Sequence, residues 1–363
     1  MSNHILSSIQ NRIGFITLDR PKALNSLSLE MVRNITATLL QWQENDEVAA
    51  VFIHSSSEKS FCAGGDIRFF YDVGTATPKG DSALLEDFFS EEYALNHLIH
   101  FYPKPYVALL NGVVMGGGMG IAQAGKNCRL RIVTERTKMA MPEVNIGLFP
   151  DVGGSYFLAR SPGEIGTYLG MTGDIINAAD AMYAELADVY IPTTALTTLM
   201  DLLRTTNSDD IRVLIREFAT QYADQAIPEQ STLAKNRAAI DLHFAGKDVK
   251  KVLQSLALDQ SEFGLQASAL MQKRSPLLMA VTLEQLRRGA DMTVAECLRM
   301  ERTMVRHCFK HGEVLEGVRA LVVDKDNAPR WSPATQELVD ESLILGFFEP
   351  VWPDYAHPLR DLL

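Results

Sequence analysis

The chain has 363 residues, of which 47% are apolar and 22% are charged, a composition typical of folded globular proteins. Its formal net charge of −11 argues against broad, sequence-independent binding to nucleic acid, but it leaves room for a small phosphorylated ligand. No stretch reaches the roughly 18 apolar residues that span a bilayer, and no signal-peptide pattern is seen at the start. The four cysteines form no Cys-x-x-Cys pair. We therefore expect a cytoplasmic protein with reduced thiols and no membrane partner.

The first half of the chain alternates predicted strands with predicted helices. Alternating apolar residues over 12–18 predict a strand, and Ser28 is a candidate N-cap for a helix with apolar residues at helical spacing. The nearly continuous apolar run over 48–54 predicts a strand covered on both faces. Three further elements are predicted before residue 135: a helix over 86–100 and buried strands over 106–114 and 128–134.

Two glycine-rich turns follow predicted buried strands. The first reads Phe-Cys-Ala-Gly-Gly-Asp over residues 61–66 and precedes a predicted helix start at Ile67, after which a polar loop is expected over 71–82. The second reads Met-Gly-Gly-Gly-Met-Gly over residues 115–120 and precedes a predicted helix start at Ile121. Glycine lets the backbone come close to a ligand, and the first N–H groups of a helix have no partner inside it. The turns therefore predict N–H donors for an anionic oxygen.

The second half of the chain carries mainly helical patterns. Helices are predicted after Pro162, over 178–187 with Asn177 as N-cap, over most of 194–270, over 277–288 and over 294–307. Strands that alternate with helices in the first half indicate an α/β class. We predict a catalytic core over residues 1–195 and a mainly helical C-terminal region over residues 196–363.

We predict that the groups that act on a bound ligand are the glycine turns and two carboxylates downstream of them. Gly65 and Gly117 are the candidate donors of two backbone N–H groups that stabilise the charge developing on a carbonyl oxygen; losing one such donor typically costs about 2.7–4 kcal/mol. Glu143 and Asp151 are candidates for proton transfer or bond formation, and Glu143 has unusually apolar neighbours. Two plainer alternatives stay open: the glycines only pack a helix on a strand, or Asp151 caps a helix beginning at Val152.

Motifs in order along the chain resemble the crotonase (enoyl-CoA hydratase/isomerase) superfamily. They are Asp-Arg-Pro-Lys-Ala-Leu-Asn over residues 19–25, the first glycine turn over 61–66, and Asn-Gly-Val-Val-Met-Gly-Gly-Gly over 111–118. Met-Pro-Glu over 141–143 and Gly-Leu-Phe-Pro-Asp-Val-Gly-Gly over 147–154 are similar to the 3-hydroxyisobutyryl-CoA hydrolase branch. One glycine run alone would be a weak signal, but these motifs taken together are a specific one.

The resemblance covers residues 1–195 and 271–333. It implies a crotonase-like spiral of repeated ββα units, with a helical C-terminal region, that binds an acyl-CoA thioester. It also implies that Gly65 and Gly117 form an oxyanion hole that binds the thioester oxygen. Assembly into a homo-oligomer stays open, because members of the superfamily often form trimers.

The resemblance also assigns the carboxylates. Hydratases of this superfamily use two glutamates around a water; the first would fall at Gly120 and the second matches Glu143. The hydrolase branch fits better, because Glu143 and Asp151 match its catalytic pair and Glu92 matches a glutamate that contacts the substrate. The implied activity is hydrolysis of 3-hydroxyisobutyryl-CoA from valine breakdown. A hydratase or isomerase on the same scaffold and a non-catalytic acyl-CoA-binding protein stay as alternatives.

The cofactor expectation follows from that substrate. Coenzyme A is part of the substrate, and we expect no metal or redox cofactor. His307 and His311 have the spacing of two metal ligands, but the sequence places no acidic third ligand near them. Two routes stay open for Glu143: it attacks the thioester carbonyl to form a mixed anhydride, or it acts as the base for a water.

Overall fold

The computed structural model describes residues 4–77, 82–205, 208 and 210–363. The chain divides into two compact units, each assembled from three separate segments. Unit 1 comprises Met1–Gly65, Leu95–Ala140 and Ile175–Lys235, and unit 2 comprises Asp66–Ala94, Met141–Asp174 and Asn236–Leu363. The domain border predicted near residue 195 stays a prediction.

The described strands all belong to unit 1. Their bounds are β1 Ile5–Gln10, β2 Ile13–Leu18, β3 Ala50–Ser55, β4 Ser60–Cys62, β5 Tyr106–Leu110, β6 Val113–Met115, β7 Arg129–Val133, β8 Lys138–Ala140 and β9 Val189–Tyr190. The larger sheet has the order β1-β2-β3-β5-β7-β9, with β1 antiparallel to β2 and the other neighbours parallel. The smaller sheet is parallel and has the order β4-β6-β8.

From β3 onward, consecutive strands alternate between these two sheets. The chain passes from β3 to β4, from β5 to β6 and from β7 to β8, each time leaving the larger sheet for the smaller one. The prediction of one strand over 106–114 is therefore wrong. Gly112 has a φ of +82°, which turns the chain between β5 and β6 and sends them to different sheets. The predicted α/β class, with repeated strand pairs, is confirmed.

One hydrophobic cluster in unit 1 joins the larger sheet to two helices, α8 (Leu196–Thr205) and α9 (Ile211–Ala219). Buried residues of β2, β3, β5 and β7 pack there with Leu199, Leu203 and Ile215, each of which is fully buried. Burial of one such side chain stabilises the fold by about 1.5–3 kcal/mol. The helical pattern predicted after residue 194 is thus confirmed in this stretch, and its apolar stripe covers the sheet.

The other helices of unit 1 are short or capped by the predicted residues. They are α1 Leu29–Gln43, α4 Gly117–Gly120 and α7 Ala178–Tyr183. Ser28 Oγ accepts a hydrogen bond from the amide of Met31 at 3.3 Å, and Asn177 Oδ1 accepts one from the amide of Asp180 at 3.1 Å. Both predicted N-caps are confirmed, although the helix after Asn177 ends at Tyr183. Helices α3 (Ala83–His100) and α10 (Thr232–Phe244) have residues in both units.

The regular secondary structure described in unit 2 consists of helices joined by loops. Its helices are α2 Ile67–Ala76, α5 Gly154–Phe157, α6 Ile165–Thr172, α11 Val249–Ala257, α12 Glu262–Met271, α13 Pro276–Gly289, α14 Val294–His311, α15 Glu313–Val318 and α16 Glu341–Gly346. None of the helices described in either unit is long and apolar enough to cross a bilayer.

Helix α2 corrects one expectation from the sequence. The loop predicted over 71–82 is wrong for residues 71–76, which belong to α2; residues 78–81 lie outside the described residues. The helix forms there because Asp66 caps its first turn and because Phe70 is buried. The Phe70 ring lies 4.8 Å from that of Phe88, so tertiary packing outweighs the polar local sequence.

Asn25 anchors β4, the short strand that leads into the first glycine turn. Its Nδ2 donates to Ser55 Oγ at 2.6 Å, to the carbonyl of Phe61 at 3.0 Å and to the carbonyl of Ser60 at 3.2 Å. Its Oδ1 accepts from the amide of Arg20 at 2.7 Å. The residue is fully buried and has a φ of +56°, a conformation that asparagine tolerates better than most residues.

Replacing Asn25 by alanine removes these bonds and leaves buried carbonyls without a donor. We expect the free energy of unfolding to fall by about 2–4 kcal/mol, measured by urea denaturation. Asn327→Ala is the matched control, since Asn327 is exposed and has a similar φ of +52°. That variant should lose less than about 1 kcal/mol. Equal losses in the two variants would contradict the anchoring role of Asn25.

Candidate active site

The two predicted glycine turns lie side by side in unit 1. They follow β4 and β6, which are parallel neighbours with Cys62 paired to Val114. A methyl group placed on Gly64 would lie 3.2 Å from the Met115 carbonyl oxygen and 3.5 Å from the Gly117 amide nitrogen. The turns therefore contact each other through their backbones, as the predicted pair of N–H donors requires.

Glycine is required in the second turn for two reasons. Gly116 has φ 49° and ψ −121°, a combination that residues with a Cβ rarely adopt. A Cβ on Gly118 would lie 2.3 Å from the carbonyl oxygen of Cys62, so a larger residue would push the turns apart. The helix predicted to start at Ile121 begins instead at Gly117 and ends at Gly120. Gly117 is thus the first helical residue, where an N–H has no partner inside the helix.

The predicted carboxylates all lie in unit 2 and are buried. Glu92 on α3 is 2% exposed, Glu143 is 6% exposed at the start of a 3-10 helix over Glu143–Ile146, and Asp151 is 5% exposed in the loop before α5. Glu92 Oε1 and Glu143 Oε2 have no hydrogen-bond partner among the described residues. Nor does any of the three form an ion pair in the described part of the chain. We call Glu92, Glu143, Asp151 and Glu301 the carboxylate cluster.

Burial and mutual repulsion shift the protonation of this cluster. Burial raises the pKa of Glu143 well above its ordinary value, and the charges of Asp151, Glu92 and Glu301 raise it further. Burial and the Asp151 charge do the same to Glu92. The pKa of Asp151 rises to about 6, again mainly through burial. A carboxyl group that holds its proton near neutral pH can act as an acid as well as a base.

Tyr93 distinguishes Asp151 from the other carboxylates. The Tyr93 hydroxyl donates to Asp151 Oδ2 at 2.7 Å, and this hydrogen bond lowers the Asp151 pKa against the effect of burial. The alternative in which Asp151 caps a helix at Val152 is wrong, because α5 begins at Gly154 with Gly153 as its N-cap residue. The side chain of Asp151 is therefore held by a phenol and not by a helix end.

Three residues in the carboxylate cluster or beside it were not found from the sequence. They are Tyr93, Gln285 and Glu301, which come from α3, α13 and α14. Gln285 Nε2 donates to the carbonyl of Pro150 at 2.6 Å, and Glu301 accepts from the amides of Gly153 and Ser155. These partners are more than 130 residues apart in the chain, so no local motif could have revealed them.

The outcome for the predicted site residues differs between the two units. Unit 1 contains Gly65 and Gly117, whose glycine turns are in contact. Unit 2 contains the three predicted carboxylates, Glu92, Glu143 and Asp151, whose charges act on one another. Chemically, unit 1 offers backbone donors for an oxyanion, and unit 2 offers a nucleophile or base with a neighbouring acid. Their catalytic roles stay predictions.

The chain is similar in sequence to proteins that already have names. A family model described as enoyl-CoA hydratase/isomerase matches residues 13–348. A relative from Danio rerio named 3-hydroxyisobutyryl-CoA hydrolase, mitochondrial, is 38% identical over 346 residues, which are 94% of this chain and 88% of the relative. The Homo sapiens protein of the same name is 36% identical over 334 residues, 91% of this chain and 84% of the relative.

Solved structures with the same fold carry different names. A solved structure of a carnitinyl-CoA dehydratase from Mycobacterium thermoresistibile is 35% identical in sequence to this chain. The match covers 97% of this chain and 98% of the dehydratase chain, with a TM-score of 0.87. The structure of an enoyl-CoA hydratase from Rhodobacter sphaeroides is also 35% identical in sequence. That match covers 96% of this chain and 98% of the hydratase chain, with a TM-score of 0.83. The predicted fold is confirmed by both.

Replacing Tyr93 by phenylalanine tests the hydrogen bond to Asp151. The bond stabilises the ionised carboxylate, so its loss should raise the Asp151 pKa above the value of about 6. Carbon-13 NMR of labelled aspartate carboxyl groups measures this titration directly. Tyr102→Phe is the control, because it removes another buried phenol, which donates to the Leu39 carbonyl. An unchanged Asp151 titration in Tyr93→Phe would show that the bond has no such effect.

Replacing Glu143 by glutamine should change how stability depends on pH. Because the folded-state pKa of Glu143 is raised above its ordinary 4.5, the folded chain binds the proton more tightly than the unfolded chain. This contribution to stability is complete below about pH 4.5 and is lost as the pH rises through the folded pKa. Glutamine does not titrate, so the variant should lose less stability than wild type between pH 4.5 and 8.

Urea denaturation at the two pH values measures that difference. Glu349→Gln, at an exposed position, serves as the control and should follow the wild-type pH dependence. If Glu143→Gln also follows it, the Glu143 carboxyl is not perturbed in the folded state.

Proposed function

The chain belongs to the enoyl-CoA hydratase/isomerase family, and we propose that it is an acyl-CoA thioester hydrolase that converts 3-hydroxyisobutyryl-CoA and water into 3-hydroxyisobutyrate and coenzyme A. Relatives of that name are 36–39% identical to it over more than 90% of its length. The observation that carries the proposal is a buried Glu143 with an oxygen that has no hydrogen-bond partner in the described part of the chain, together with Gly120 where hydratases have a glutamate.

The first step is polarisation of the thioester carbonyl. In this proposal the amides of Gly65 and Gly117 donate to the carbonyl oxygen and stabilise the negative charge that develops there. The contact between the two glycine turns supports this role, since it holds their backbones in a fixed arrangement before the substrate binds. Donors that are already in place need no reorganisation during the reaction.

Glu143 is then proposed to drive the displacement of the thiolate by one of two routes. Either its carboxylate attacks the carbonyl carbon and water opens the resulting anhydride, or it removes a proton from the attacking water. Both routes add the hydroxyl of water to the acyl carbon and place a proton on the leaving sulfur. The raised pKa of Glu143 supports either route, because it makes the ionised group a stronger base and nucleophile than an exposed carboxylate.

Asp151 and Glu92 are proposed to hold the 3-hydroxyl of the substrate. Asp151, with its pKa of about 6, can accept a hydrogen bond from that hydroxyl and can protonate the leaving thiolate near neutral pH. Glu92 Oε1 is buried and has no partner among the described residues. A site with such unpaired groups strongly rejects substrates that lack the hydroxyl, because its own polar atoms would stay unsatisfied.

The proposal places the protein in valine breakdown and treats coenzyme A as part of the substrate, without a metal or redox cofactor. The cytoplasmic location expected from the sequence stays a prediction, because the curated relatives are named mitochondrial. Assembly into a homo-oligomer likewise stays a proposal.

Release of free thiol from 3-hydroxyisobutyryl-CoA tests the function. Wild type should release thiol, and Glu143→Ala and Asp151→Ala should each lower kcat by at least about 100-fold, as expected for groups that act in the transition state. Isobutyryl-CoA, which lacks the hydroxyl, should show a kcat/KM lower by at least about 100-fold. If both variants keep the wild-type kcat, the assignment of the site is wrong.

Hydration or isomerisation of an enoyl-CoA is the second candidate. It is favoured by the two solved structures named as a dehydratase and a hydratase, each 35% identical to the chain. Gly120 argues against it, because that chemistry needs a second glutamate to handle the water. Loss of enoyl-CoA absorbance without release of thiol would support this candidate, and intact acyl-CoA after long incubation would indicate binding alone.

A further inference from the structure

The turn that carries Asp151 has a strained backbone. Val152 has a φ of +53°, in the left-handed region that β-branched residues avoid, and Gly153 follows with a φ of +89°. Strain of this kind persists only where neighbouring groups hold the backbone in place. Something in unit 2 must therefore hold the turn over residues 150–155.

Glu301 on α14 makes the contacts that hold it. Its Oε2 accepts from the amide of Gly153 at 2.8 Å, and its Oε1 accepts from the amide of Ser155 at 2.9 Å. The side chain is fully buried. Gln285 supports the same turn from α13, since its Nε2 also donates to Ser155 Oγ at 2.8 Å. The two oxygens of one carboxylate thus span the residues that follow Asp151.

A carboxylate is an unfavourable choice for stability alone. Burial, together with a smaller contribution from the Asp151 charge, raises the pKa of Glu301 to about 8 even though its hydrogen bonds from Gly153 and Ser155 lower it. A second buried acid beside Glu143 and Asp151 adds like-charge repulsion to the cost of burial. A side chain that breaks the local rules in this way points to a role in function.

We propose that Glu301 is a positioning residue for catalysis: its two backbone hydrogen bonds hold the turn over residues 150–155 so that Asp151 stays directed at the substrate. This rests on the proposed hydrolase function. Glu301 is not expected to touch the substrate, because both of its oxygens are occupied by the turn.

The charge of Glu301 has a second, measurable effect. It raises the pKa values of Glu143, Tyr93 and Cys297, and it interacts with Asp151. Glu92 also acts on Glu143. Removing the Glu301 charge should therefore lower the pKa of Glu143 and move the acid limb of the pH–kcat profile to lower pH.

Two substitutions separate position from charge. Glu301→Gln removes the charge, and one of its two acceptors becomes an NH₂ group that cannot accept from an amide. We expect kcat to fall about 10–100-fold with KM changed less than about 3-fold, and the acid limb to move to lower pH. Glu301→Asp keeps the charge and both oxygens on a shorter arm, so kcat should fall while the acid limb stays in place.

A matched control removes a buried carboxylate that also accepts from a backbone amide. Asp180 is 4% exposed, belongs to unit 1 and accepts from the amide of Leu233 at 2.8 Å. Asp180→Asn should lower thermal stability and leave the acid limb where it is in wild type. This comparison separates an effect on the cluster from a general loss of stability.

Several results would overturn the proposal. The proposal fails if folded Glu301→Gln keeps kcat within about twofold of the wild-type value. If Glu301→Gln does not fold, the proposal fails when Glu301→Asp keeps kcat within about twofold of the wild-type value. A pH profile of Glu301→Gln that stays in place excludes the charge effect. If wild type itself releases no thiol, the hydrolase function has failed instead. In that case the NMR titration of Asp151 in Glu301→Gln still tests whether Glu301 positions Asp151. The positioning role predicts a changed Asp151 signal, and an unchanged signal overturns it.

Discussion

Burial of several carboxylates in one place is the constraint on which the site depends. Glu92, Glu143, Asp151 and Glu301 are each at least 94% buried, and their charges repel one another. Each buried carboxylate costs free energy unless it holds a proton or accepts hydrogen bonds. The chain meets that cost unevenly: Asp151 and Glu301 accept bonds from Tyr93 and from backbone amides, while Glu92 and Glu143 each keep an oxygen without a partner among the described residues. In the proposed mechanism these two unsatisfied groups are the ones available to the substrate.

In the proposed mechanism, unequal hydrogen bonding gives chemically identical carboxyl groups different tasks. The Tyr93 bond keeps the pKa of Asp151 down to about 6, which suits a group that must both accept and donate a proton near neutral pH. Burial and the neighbouring charges raise the pKa of Glu143 well above its ordinary value, which suits a base or nucleophile. Two carboxylates with separated pKa values are the usual basis of acid–base assignments in enzymes.

The positions of the two glycine turns depend on how the strands pair in the two sheets. In unit 1, alternate strands leave the larger sheet and form a second, parallel sheet, so that the turns after β4 and β6 leave neighbouring strands in the same direction. The side chain of Asn25 donates to residues 60 and 61 of β4 and to residue 55 at the end of β3, and so holds β4 in place. Gly118 then lets the second turn approach Cys62 more closely than any side chain would allow. Sheet pairing and this close approach therefore hold the two turns against each other.

The sequence by itself determined the α/β class, the N-caps at Ser28 and Asn177, the two glycine turns and the candidates Glu143 and Asp151, because each has a local signature in spacing or residue type. It missed the division of residues 106–114 between two sheets, since a short glycine turn inside an apolar run resembles one strand. It could not find Tyr93, Gln285 or Glu301. Those residues act through bonds to partners far away in the chain, and such partners are brought together only when α3, α13 and α14 pack in the folded protein.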